Sequence, residues 1–142
     1  MPSDAILKAM NGAHRVLMKV SGGRIGWSAM SMPVVELTTT GAKSGQRRST
    51  MLSTPLVDGE VVVLVASFGG DDRNPAWFHN VQAHPEVEIT MDGATRPMVA
   101  RVAGPDERDR LWEQITTAHS NYAGYQKRTE RVIPVVVLEP PA

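Results

Sequence analysis

The chain contains no cysteine. Disulfide scaffolds, thiolate metal sites and a cysteine nucleophile are excluded together, so any redox chemistry must come from a bound cofactor. Net charge is also missing: 15 Lys and Arg stand against 15 Asp and Glu. A dedicated nucleic-acid binder draws its affinity from an excess of cations over phosphates, and the balance argues against that class. No apolar run approaches the roughly 20 residues that span a bilayer. The apolar residues between Ala5 and Val20 are interrupted by Lys8, Arg15 and Lys19, so no secretory leader is read and a cytoplasmic protein is expected. Aromatics are scarce, seven in 142 residues. The core is therefore expected to be aliphatic, with Val and Leu dominating.

What is present suits one ordinary domain. With 42% hydrophobic and 21% charged residues the chain can bury a core and does not read as disordered. Its charge is unevenly placed. Residues 1–31 carry Lys8, Arg15, Lys19 and Arg24 against Asp4 alone. In this segment Ile6, Met10, Ala13, Leu17 and Val20 recur at alternating spacings of four and three, the pattern of one helical face. Ser3 or Asp4 is placed to cap the helix and Gly22-Gly23 to stop it. A basic amphipathic helix either lies on an anionic membrane surface or packs on the domain or a second subunit, and packing is the favoured reading.

After Pro33 the period changes. Val34 to Thr39 is short and β-branched; Ser49 to Val57 and Glu60 to Ser67 flank Asp58-Gly59, a hairpin dipeptide. Pro55 in the first arm predicts an edge or a bulge. A second hairpin runs from Glu86 to Met91 and Ala94 to Ala103 through Asp92-Gly93, with Pro97 again implying an edge, and a last strand covers Val132 to Leu138. Asn74 as cap and Pro75 at the first helical position begin a short helix that stops before Pro85. A helix from Pro105 carries Leu111, Trp112, Ile115 and Ala118 on one side, and a shorter one covers Tyr122 to Arg128. Strands joined mostly by hairpins, with helices inserted rather than alternating, predict a mainly β, largely antiparallel barrel over residues 32–142 and not a parallel doubly wound sheet.

Two segments carry the chemistry. Between Thr38 and Ser49 lie Gly41 and Gly45, several hydroxyls, and Lys43, Arg47 and Arg48. Glycines let backbone N–H groups face an anion, and Lys and Arg supply charge, with Arg able to grip a phosphate or carboxylate through two bonds. A Walker A loop needs glycine where Ala42 precedes Lys43. A solvated basic turn is the bland alternative; the hydroxyls and glycines favour an anion site. The second segment ends a strand in Ala66-Ser67-Phe68-Gly69-Gly70 and then presents Trp77, Phe78 and Asn80 on the capped helix. Small residues there allow a flat ring to approach the backbone. Phe78 reads as a core residue, while Trp77 suits a pocket wall and a core equally. No metal site is read, because His79 and His84 are five residues apart on a helix and do not share a face. No G-x-S-x-G elbow is present. Tyr122 and Tyr125, three apart, could share a helix face.

The stretches LTTTGAKSGQRR, VASFGGDDRNPAWFHNVQAHPEVEI and SNYAGYQKRTERVIPVVVLEP resemble the deazaflavin-dependent nitroreductases, the A group of the flavin/deazaflavin oxidoreductases of mycobacteria and their relatives, between Glu36 and Pro140. The resemblance implies a split β-barrel and, as cofactor, coenzyme F420, a deazaflavin with a phosphate and an oligoglutamate tail; FMN is the alternative, since related split barrels use it. It also implies that Ala42, Lys43, Ser44 and Arg48 receive the phosphate and tail, and that Ser49, Thr50, Met51, Leu52 and Ser53 run beside the deazaflavin. Val65, Ala66, Ser67 and Phe68 match further cofactor contacts, as do Ala76, Trp77, Phe78, His79 and Asn80, and Tyr122 matches a tyrosine near cofactor and substrate. Two positions depart from the eponymous nitroreductase: Phe68 replaces a lysine and His119 the first of three substrate-side tyrosines. Activation of a bicyclic nitroimidazole is therefore not assumed. The expected activity is hydride transfer from C5 of the reduced deazaflavin to a small electrophile such as a quinone, activated alkene or nitro compound. Tyr122, Tyr125, His119 or solvent would supply the proton. A non-catalytic F420-binding protein is the competing reading, and a homodimer is the expected assembly by analogy of fold.

Overall fold

The computed structural model describes residues 28–29 and 32–142; the patterned segment at residues 6–20 lies outside them. In chain order the elements are β1 (Ser28–Ala29), β2 (Met32–Thr40), β3 (Arg47–Ser53), β4 (Leu56–Asp58), β5 (Val61–Val65), a 3₁₀ turn (Phe68–Gly70), α1 (Ala76–Ala83), β6 (Glu86–Met91), β7 (Ala94–Val102), α2 (Pro105–Ala118), α3 (Asn121–Lys127) and β8 (Val135–Glu139). All pairings are antiparallel, in the order β1-β2-β6-β7-β8-β5-β4, with β3 on β2. The mainly β, antiparallel expectation holds. Among the described residues no helix is long and apolar enough to cross a membrane.

Closure of the ring corrects one expectation. Ser49 to Val57 was predicted as one arm of a hairpin with Glu60 to Ser67, but it divides at Thr54-Pro55. The part before the break pairs with β2, with Leu37 opposite Thr50, and the part after it pairs with β5, with Val57 opposite Val62. Proline cannot donate to a ladder. Thr54, fully buried, supplies the bonds of the corner: its N–H donates to Pro33 O at 2.9 Å, and its hydroxyl donates to Val63 O at 2.7 Å and Leu56 O at 3.2 Å. A nearly continuous strand thus joins the two ends of the sheet. The β4–β5 turn is Gly59-Glu60, one residue later than predicted, because Asp58 pairs with Val61. Asp92-Gly93 forms its hairpin as predicted, at φ of 52° and 81°, both positive as a type I′ turn requires. Pro97 lies in the stretch of β7 that pairs with β6 alone, a local edge.

Alternation along the strands produces two cores. Val62, Leu64, Val136 and Leu138 face inward with Val35, Leu37, Ile89 and Met98, and α1 adds Trp77, Phe78 and Val81 at one end. Val63, Val65, Val135 and Val137 face outward and are covered by Ile115 of α2 and Tyr122 of α3, with Leu111 and Trp112 partly buried beside them. Both faces of β5 and β8 are therefore buried, which explains their unbroken apolar sequences. Ala118, expected on the packed side of α2, is exposed. Asn74 does not cap α1: Pro75 precedes the helix, and the Asn74 Oδ1 accepts from Arg131 at 2.9 Å.

Candidate functional site

The loop between β2 and β3 is held by its own backbone and by one tie to α1. Gly41 N–H donates to Gln46 O at 2.7 Å, Gly45 N–H to Gly41 O at 3.0 Å, and Gln46 N–H to the Ser44 hydroxyl at 3.1 Å. Gly45 adopts φ of 70°, the left-handed region that glycine enters without cost. A Cβ on Gly41 would stand 2.4 Å from Ser44 Oγ, so the turn closes over that glycine. The tie is Asn80, whose Oδ1 accepts from Ala42 N–H at 3.0 Å while its Nδ2 donates to Thr39 Oγ1 at 3.0 Å. This leaves the N–H groups of Lys43 and Ser44 without an acceptor among the described residues.

The three cations of the segment are not equivalent. Arg47 is engaged on the barrel wall, donating to Thr40 Oγ1 at 3.0 Å and pairing with Glu88 at 3.3 Å. Lys43 and Arg48 are exposed and have no ion-pair partner among the described residues. An exposed turn that carries Lys43 and two N–H groups with no acceptor among the described residues, followed by the exposed Arg48 on β3, is equipped to hold a small polyanion.

Downstream the side chains alternate. Arg48, Thr50 and Leu52 stand opposite Thr39, Leu37 and Val35 and share the inner face of the barrel, whereas Ser49, Met51 and Ser53 stand opposite Thr38, Glu36 and Val34 on the other face. Thr38 and Ser49 are joined through their hydroxyls at 2.9 Å. A ligand lying on one face meets the side chains of only one of these sets.

The end of β5 is organised by a residue that the sequence reading passed over. Arg131 donates from Nε to Asp71 O at 2.9 Å, from one terminal nitrogen to Asn74 Oδ1, and from the other to Ala66 O and Ser67 O at 3.2 and 3.0 Å. Its guanidinium thus binds the whole span from strand end to helix start. Gln126 supports it, donating to Arg131 O at 2.7 Å and accepting from Ile133 N–H and Arg108. Arg131 stands beside Thr129 and Glu130 in sequence, neighbours that suggest a solvated turn. Asp71 grips Arg73 through both carboxylate oxygens, and those bonds hold its carboxyl down at about 2. Val65, Ala66 and Ser67 are buried; Phe68, at φ of 47°, is half-buried under the Arg73 guanidinium.

The other marked residues divide between the two cores. Trp77, 6% exposed, and Phe78 meet edge to face in the inner core, while Ala76 and His79 on the same helix are exposed. Tyr122 lies in the outer core, its hydroxyl donating to Met32 Sδ at 3.6 Å and its ring edge to face with Tyr125. Burial pushes the Tyr122 phenol well above its ordinary range, and Tyr125 adds to the effect, so it keeps its proton. Tyr125 and His119 are half-buried. The His119 carbonyl accepts from Tyr122 N–H at 3.3 Å, which places the end of α2 beside the start of α3.

A family model described as F420H(2)-dependent quinone reductase matches residues 11–140. An F420H(2)-dependent quinone reductase of Mycobacterium tuberculosis (strain ATCC 25618 / H37Rv) is 42% identical over 129 residues, 88% of this chain and 86% of that protein. A solved structure of an F420-H2 dependent reductase (FDR-A) superposes with a TM-score of 0.68 at 39% identity, covering 75% of this chain and 94% of the other. Another, described as a domain-swapped dimer, has a TM-score of 0.70 at 34% identity and covers 93% and 97% of the two chains.

Proposed function

The chain belongs to the F420H(2)-dependent quinone reductase family, and on that premise we propose that it binds coenzyme F420 through the β2–β3 loop and reduces a quinone or a similar small electrophile. The observation that carries the loop assignment is the pair of uncommitted cations, Lys43 and Arg48, together with the N–H groups of Lys43 and Ser44, which have no acceptor among the described residues. This donor set is cationic and rich in N–H groups, and it fits a phosphate followed by carboxylates. When bound, reduced F420 supplies the hydride. The protein positions the partners: the loop anchors the charged end, and β3, which continues from it, offers Thr50 and Leu52 on one face and Ser49, Met51 and Ser53 on the other. Tyr122 is buried, and its hydroxyl is turned to Met32 Sδ. Tyr125 and His119, both half-buried, are better placed to meet solvent and an acceptor molecule.

The test is a paired titration with F420 and FMN followed by fluorescence, and then oxidation of F420H2 with menadione. Saturable binding of F420 in preference to FMN, with menadione-dependent turnover, is expected. Preference for FMN would overturn the cofactor assignment, and tight F420 binding without turnover on quinone, enone or nitro acceptors would select a binding protein.

Two associations belong to the same reading. A second copy is a fitting partner, since a structural relative is described as a domain-swapped dimer. The basic amphipathic pattern at residues 6–20 suits either packing on protein or an anionic bilayer. Sedimentation of the full chain, with and without anionic vesicles, separates the two.

A further inference from the structure

The Thr39–Asn80–Ala42 chain of hydrogen bonds lies between the barrel wall and the cationic loop. We propose that Thr39 and Asn80 are positioning residues which hold that loop in its anion-binding form, Asn80 acting through Ala42 and not by contact with the ligand. The proposal rests on the loop being the F420 tail site. Three observations carry it. Thr39 is 1% exposed near the end of β2, so its hydroxyl is a fixed point on the inner face. The orientation of the Asn80 amide is dictated by its partners: Ala42 offers an N–H, so the oxygen must face the loop and the nitrogen must face Thr39. The remaining hydrogen bonds of the turn, Gly41 to Gln46, Gly45 to Gly41 and Gln46 to Ser44, are internal to it and cannot fix its tilt against α1.

The consequence for binding follows from which N–H groups are used. With Ala42 N–H turned inward onto Asn80, the next two N–H groups of the turn, from Lys43 and Ser44, are left for an anion. Freed from Asn80, the turn can present Ala42 outward and lose that alignment. Because neither Thr39 nor Asn80 carries charge, its loss should lower affinity without changing the number of ionic contacts.

The experiment compares Thr39→Val, Thr39→Ser, Asn80→Ala and the Thr39→Val/Asn80→Ala double variant with the wild type. F420 affinity is titrated over a range of salt, and the exchange rate of the Ala42 amide hydrogen is read in the protein without added F420. Thr39→Val and Asn80→Ala are each expected to weaken binding about 3- to 10-fold, the size of one or two neutral hydrogen bonds. The salt slope should be unchanged, Ala42 exchange should be faster, the double variant should be no worse than Asn80→Ala, and Thr39→Ser should restore the wild-type values. Wild-type affinity in Thr39→Val alongside a loss in Asn80→Ala would make Asn80 a direct ligand contact and overturn the proposal. A shallower salt slope in either variant would do the same. Failure of the wild type itself to bind F420 would instead overturn the reading of the loop, and this proposal with it.

Discussion

Lys43 and Arg48 differ from Arg47 in commitment, not in charge. Arg47 already spends its guanidinium on Thr40 and Glu88, while the other two face solvent. Lys43→Ala and Arg48→Ala are each expected to weaken F420 binding by roughly tenfold or more, as for a lost charge-assisted hydrogen bond. Each should also flatten the salt dependence, since part of the attraction is screened by ions. Arg47→Ala should leave affinity and slope near wild type. Titration of the three variants at low and high salt checks this, and equal losses in all three would show that the loop acts only as a diffuse basic patch. The sequence KSGQRR displays the cations but not this division, because Glu88 is on another strand. Arg131 was hidden for the same reason: its acceptors, from Ala66 to Asn74, lie about sixty residues away. Asn80 stood out through its motif, but its link to Thr39 and Ala42 did not.

Elements were legible where the signal is local. Asp92-Gly93 supplies both positive φ values of its hairpin by itself, and Pro105 starts α2 at the predicted residue. The strand read through Thr54-Pro55 was not, since nothing nearby says that its halves serve different neighbours. Gly69-Gly70 is a mixed case. It was read as room for a flat ligand, yet the space above Gly70 is filled by α3: an added Cβ would lie 2.9 Å from Tyr125 O and 3.0 Å from Arg128, at φ of 84°. Gly70→Ala is therefore expected to destabilise the fold by about 2 kcal/mol or more through strain and displacement of α3. Gly124, within α3, has open space around its missing Cβ. Gly124→Ala should instead stabilise by about 0.5–1 kcal/mol through helix propensity. Urea midpoints of the two variants measure the contrast, and a neutral Gly70→Ala would mean that α3 does not rest on the turn.

For the molecule as a whole, the zero net charge and the absence of cysteine narrowed the chemistry, and the hairpins indicated an antiparallel barrel. The two-sided burial of β5 and β8 was visible only as runs of valine, whose partners on either side depend on where α2 and α3 settle. The sheet order adds a consequence for the chain as it is made. β8 sits between β7 and β5, but it follows every other strand in sequence. On a ribosome the β3-β2-β6-β7 part and the β4-β5 part, linked through the Thr54-Pro55 corner, must wait with bare edges on β7 and β5, and exposed edges invite pairing with other chains. A chain stopped before Val135 is expected in the insoluble fraction, whereas one stopped after Glu139 should match the full-length protein in solubility and in its β-sheet circular dichroism. Soluble, sheet-rich protein from the shorter chain would show that the halves join without their middle strand. Otherwise the barrel forms only after β8 has been synthesised, and chaperones that shield edges should matter most in the interval before it emerges.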